Sequence, residues 1–131
     1  MAADKSILDG AFSHTASYST ALTIAWPGVD FTPPSEGLWL EVSIFPNEPD
    51  NYSWDDETQE FMGFLQVSVY GRPGSGIYGL TDEAESIIAH FPKGTALGPV
   101  RVSQRPYLRP VVIDGEAHFI PVTIPYKGIA G

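Results

Sequence analysis

The side chains able to do chemistry are few and scattered. The chain has three histidines, His14, His90 and His118, and no cysteine. That rules out a disulfide framework, a thiolate metal site and a cysteine nucleophile together. None of the histidines belongs to a two-histidine helical metal motif or lies beside a Gly-x-Ser-x-Gly elbow. His90 falls at the end of a predicted helix, and the negative terminus of that helix is its expected partner. Asp55, Asp56, Glu57 and Glu60 form an acidic cluster that could collect around a hard cation. Consecutive acids on an extended chain point different ways, however, and no calcium-hand pattern is present, so a solvated acidic loop is favoured. Gly71 to Gly76 precedes a helix as phosphate-cradling loops do, but lacks the lysine followed by Ser or Thr, and reads as a strand-to-helix linker. No catalytic residue, metal or cofactor is expected.

Other side chains suit contact better than catalysis. Trp54 stands alone among acids in a turn-rich segment, and Tyr107 lies between Arg105 and Arg109, with Arg101 just upstream. Aromatic and arginine side chains are the usual anchors of protein interfaces. Trp54, Arg101, Arg105, Tyr107 and Arg109 are therefore the candidate subunit or partner contacts.

The formal charge of −9 argues against a general nucleic-acid binder, whose affinity comes from Lys and Arg neutralising phosphates. It is unevenly placed. Residues 1–70 carry eleven acids against Lys5 alone, while residues 93–131 carry five basic and two acidic side chains. Such polarity suits contact between the acidic part of one copy and the basic part of another, against the plainer reading of a solvated acidic surface.

The elements that must position these residues follow from hydrophobic period and turn chemistry. A chain of 131 residues is expected to fold as one domain. The opening residues carry no basic region followed by an apolar run, and no stretch approaches a membrane span of roughly 20 apolar residues. A soluble protein made in the cytoplasm is the expectation. Ile7, Leu8, Ala11 and Phe12 at helical spacing predict a short helix from Lys5 to His14, with Asp4 as its cap. Leu22, Ile24 and Trp26 alternate as a strand before Pro27-Gly28. Leu38 to Phe45 alternates cleanly, and Phe61 to Tyr70 is apolar on both faces, as a central strand would be. Ile77, Leu80, Ala84, Ile87, Ile88 and Phe91 predict a second helix stopped by Pro92 and Gly94. Val100 and Val102 begin another strand, and Val111 to Ile113 and His118 to Tyr126 flank the turn signal Asp114-Gly115. Prolines 106, 110, 121 and 125 cannot donate to a ladder, so these last strands are expected at edges or projecting from the sheet. The fold class is α+β: two helices on an antiparallel or mixed sheet with a C-terminal β-hairpin, in a single domain over 1–131. Within it, residues 1–20 are a short helix and a Ser/Thr-rich connector, and residues 21–131 hold the sheet, second helix and hairpin.

The order of these pieces carries a resemblance. Val29-Asp30-Phe31-Thr32-Pro33-Pro34, Leu38-Trp39-Leu40-Glu41-Val42, Gly63-Phe64-Leu65-Gln66-Val67-Ser68-Val69, the helix end Phe91-Pro92-Lys93-Gly94-Thr95 and Pro121-Val122-Thr123-Ile124-Pro125-Tyr126 follow one another. Together they resemble the tail terminator, or tail-completion, family of long-tailed bacteriophages and prophages, over roughly residues 24–126. The resemblance implies a structural virion protein that caps the tail tube, stops its polymerisation and offers a surface for joining tail to head. It further implies a homohexameric ring through which DNA passes without specific binding. Its partners would be copies of itself, the tail tube protein and head–tail connector or neck proteins, with no membrane. Assembly would take place in the host cytoplasm and the product would sit in the virion tail or neck. A neck or head–tail connector subunit remains an alternative, as does a small ligand-binding or enzymatic domain with a pocket between sheet and helices.

Overall fold

The computed structural model describes residues 3–18, 22–34, 37–47, 50–51, 59–72, 77–114 and 117–130. The elements in chain order are α1 (Ala3–Ala16), β1 (Ile24–Ala25), β2 (Trp39–Pro46), β3 (Asp50–Asn51), β4 (Gln59–Gly71), α2 (Tyr78–His90), β5 (Ala96–Leu97), β6 (Val100–Val102), β7 (Tyr107–Leu108), β8 (Val112–Asp114) and β9 (Ala117–Ala130). The sheet runs β1-β2-β4-β9-β6-β5, with β3 on β4 and both β7 and β8 on β9. Only β1 and β2 pair in parallel among the described strands; the rest are antiparallel. This is the expected α+β class, including the C-terminal hairpin of β8 and β9.

Alternation decides which face of the sheet is buried. Leu40, Val42 and Ile44 of β2 stand opposite Val69, Val67 and Leu65 of β4, which in turn face Ile120, Val122 and Ile124 of β9. Most of these side chains are fully buried, and they share one core with Ile7 and Ala11 of α1 and Leu80, Ala84, Ile87 and Ile88 of α2. Both helices therefore cover the same face, each by a narrow apolar stripe at helical spacing. The helix α1 starts at Ala3, so Asp4 lies inside its first turn rather than capping it from outside. The helix α2 has no side-chain cap at Ile77. Thr81 donates to the Ile77 carbonyl from its backbone nitrogen (2.9 Å), the first helical bond, and from its hydroxyl (2.8 Å).

Helix α1 is held against the β5–β6 turn by glycines. A Cβ on Gly10 would fall 2.1 Å from the Gly98 nitrogen, and one on Gly98, where φ is +64°, would fall 2.4 Å from the Ser6 carbonyl oxygen. Backbone meets backbone here, which only glycine allows.

Pro121 and Pro125 do not lie at an edge, whereas Pro106 and Pro110 flank β7, which pairs only with β9 among the described strands. Strand β9 is central, paired with β4 from Gln59↔Ala130 to Gly71↔His118 on one side and with β6, β7 and β8 on the other. The reason is phase. Ser103 N donates to the Pro125 carbonyl and Arg109 N to the Pro121 carbonyl, both at 2.9 Å. In an antiparallel strand a residue's nitrogen and carbonyl point the same way. The nitrogens lacking hydrogens thus face away from β4, whose ladder loses nothing. On their own side, the partner is broken into the short pieces β6, β7 and β8, separated by segments containing Pro106 and Pro110.

Candidate functional site

The fragmented strand opposite β9 is where the predicted contact residues gather. Between β6 and β9 the chain runs as an arm carrying Arg105, Tyr107 and Arg109, all exposed. Leu108, Val112 and Ile113 on the same arm are exposed as well, Ile113 at 73%. Proline interruptions deny this segment the regular pairing that would bury it, while the Arg109 and Tyr107–Leu108 backbone pairings to β9 fix its course. Arg101 sits apart on β6, where Nη1 donates to the Gly94 carbonyl at 2.9 Å. Arg105 reaches back toward α2, lining a shallow depression with Glu85, Ile88, Ala89, Pro92 and Lys93. Trp54 lies outside the described residues, as do Asp55, Asp56 and Glu57 of the acidic cluster. The remaining acid of that cluster, Glu60, faces Lys127 at 3.5 Å across the β4–β9 pair.

A second surface was not anticipated from the sequence. On the sheet face away from the helices, Trp39, Tyr70 and Phe119 stack in a row across β2, β4 and β9. Their ring centroids are 5.4 and 4.5 Å apart and their planes within 17° and 20°. Val112 of the arm stands opposite Phe119 and continues the row. At the β1–β2 end, the connector of residues 26–33 overhangs the sheet to form an open groove of about 550 Å³. Trp26, Phe31, Trp39 and Tyr70 supply its aromatic walls, and Asp30 and Glu41 its carboxylates. The connector is tied down by Arg72, whose guanidinium donates to the Pro34 carbonyl at 2.7 Å and lies 5.0 Å from the Trp39 ring centroid. The groove joins residues from Ala25 to Ala117, far apart in the sequence.

Two of the histidines, His14 and His90, make structural contacts. His14 and His90, at the C-terminal ends of α1 and α2, stack at 4.3 Å between ring centroids. His14 Nε2 donates to the His90 carbonyl at 2.6 Å, and His90 Nε2 to the His14 carbonyl at 2.7 Å. Thus His90 serves the negative terminus of α1, not that of its own helix. Beside them the Tyr18 hydroxyl donates to Glu83 Oε2. Burial, and then this neighbouring carboxylate, push the Tyr18 hydroxyl up to about 12. No group of three or more His, Asp or Glu able to hold a metal occurs among the described residues. No described helix is long and apolar enough to cross a membrane. Residues 73–76 of the glycine-rich linker lie outside the described residues.

Comparison with known proteins gives this arrangement its context. The family model described as "Phage tail terminator protein" matches residues 5–126. No curated protein sequence matches the chain. One solved structure shares 25% of its sequence, covers 94% of this chain and 94% of its own, and superposes with a TM-score of 0.70.

Proposed function

Because the chain belongs to the phage tail terminator family, we propose that it assembles as a homohexameric ring on the end of the tail tube, stops tube polymerisation and presents the surface on which the head is joined. The family is a structural one, and the role in the virion tail rests on the family match over residues 5–126. A ring needs two different patches on each subunit, one to meet the other on its neighbour. The exposed arm and the acidic aromatic groove are two such patches, and they support the reading.

The proposed ring has tail tube protein on one side and connector proteins on the other, and DNA passes through it without specific binding. An acidic chain discourages phosphate from adhering to the wall of such a channel. The test is co-purification from infected cells or from a reconstituted set of tail and neck proteins. Capture of the tail tube protein is expected. Capture of portal or adaptor protein alone would overturn the terminator assignment in favour of a connector subunit.

A further inference from the structure

The two surfaces described above complement one another in charge, chemistry and position. The arm offers guanidinium groups at Arg105 and Arg109 beside the exposed apolar side chains of Leu108 and Ile113. The groove offers the carboxylates of Asp30 and Glu41 between aromatic rings. The arm brings cations to set against the groove's carboxylates, and both surfaces bring apolar area to cover. Surface charge alone is worth little in water, so contact must also remove the apolar part of the arm from solvent.

Position decides the occupant. The groove is walled by the connector and β2 and reaches Tyr70 of β4 and Ala117 at one end of β9. Glu41 of β2 is in register with Ser68 of β4 and Pro121 of β9, where the Arg109 backbone nitrogen pins the arm, so three strand spacings, roughly 14 Å, keep the middle of the arm out of its own groove. A partner bearing a basic apolar arm is on the page already, namely a second copy. We propose that the arm of residues 105–113 seats in the Asp30–Glu41 groove of the next copy, making a heterologous contact that repeats around the assembly. This rests on the ring reading above and names the surfaces that build it. Arg101, on β6 and outside residues 105–113, lies outside the contact.

The chain has no cysteine, so the contact can be tested by placing single thiols. Val29, at the groove and 62% exposed, and Ile113, 73% exposed, are positions where substitution leaves the core untouched. Val29→Cys and Ile113→Cys chains, mixed and treated with a short bismaleimide, are expected to give a heterodimer that neither forms alone. The chain carrying both thiols is expected to give a ladder beyond the dimer. Arg105→Glu with Arg109→Glu lowers the heterodimer yield roughly tenfold or more, and Asp30→Lys with Glu41→Lys on the partner restores it, because like charges oppose and exchanged charges agree.

The same reactions are run on free protein at high concentration and on purified tails. Absence of the heterodimer in both settings overturns the arm-to-groove contact, and if an amine-reactive cross-linker still yields multimers, the ring reading stands on other surfaces. A doubly labelled chain that stops at the dimer keeps the contact and overturns the ring.

Discussion

His14 and His90 exchange hydrogen bonds: each ring donates from Nε2 to the other residue's backbone carbonyl, at 2.6 and 2.7 Å, with the two rings stacked between. This clasp joins the C-terminal ends of α1 and α2. Phe91 packs edge-on to His14 at 4.8 Å and anchors the clasp to the core.

Replacing either histidine by alanine removes one side-chain donor and the stack, but leaves the carbonyl that the other ring uses. Each single variant is expected to lose about 1–2 kcal/mol of unfolding free energy in urea titrations. The double variant should fall short of additivity by the stacking contribution alone, about 0.5–1 kcal/mol. Strict additivity would mean that the rings do not interact.

The tyrosine beside the clasp gives a pH signature. Tyr18 is raised to about 12 from an ordinary value of 10.0, so between these values the unfolded chain has released a proton that the folded chain keeps. Its contribution is fully present below pH 10 and is lost as pH rises toward 12. Stability of the native chain should therefore fall more steeply over this window than that of Tyr18→Phe. Parallel slopes for the two chains would show that the burial of Tyr18 and its Glu83 contact do not persist in solution.

At the α1 crossing, Gly10→Ala would drive a methyl group to 2.1 Å from the Gly98 nitrogen. Neither backbone can yield without moving the helix from the β5–β6 turn. A loss of about 2–4 kcal/mol is expected, read as a lowered thermal midpoint with retained far-ultraviolet circular dichroism at low temperature. Gly79→Ala, at a helical position with nothing within 4 Å of the added Cβ, is the control and should not destabilise.

The hydroxyl of Thr123, in the middle of β9 and 4% exposed, has no hydrogen-bond partner among the described residues. Thr123→Val keeps the branched shape and removes an unsatisfied polar group. The variant is expected to match the native chain or exceed it by about 1 kcal/mol in urea. A clear loss would indicate that the hydroxyl is bonded in solution.

What could be read from the sequence was what depends on neighbours along the chain. The alternation of Leu38–Phe45 and Phe61–Tyr70 located β2 and β4, and the period of Leu80, Ala84, Ile87 and Ile88 located α2. Arg105, Tyr107 and Arg109 were legible as an exposed basic stretch, whereas Val112 and Ile113 read as ordinary strand residues, since their exposure depends on β8 having no further partner among the described strands. The proline expectation failed for Pro121 and Pro125, though not for Pro106 and Pro110, because a missing donor matters only on the side where a partner lies, and period two does not reveal which side that is. The His14–His90 clasp, the Gly10–Gly98 crossing and the groove join residues far apart in sequence, where no local pattern marks the pairing.

The central claim, that this protein ends the tail tube, is tested most directly by electron microscopy of tubes polymerised from purified tail tube protein with and without it. Added protein is expected to halt elongation and to appear as a six-fold ring at one end of each tube, while Arg105→Glu with Arg109→Glu leaves ends bare. Tubes that keep growing to the same length distribution, with no density added at either end, would contradict the account.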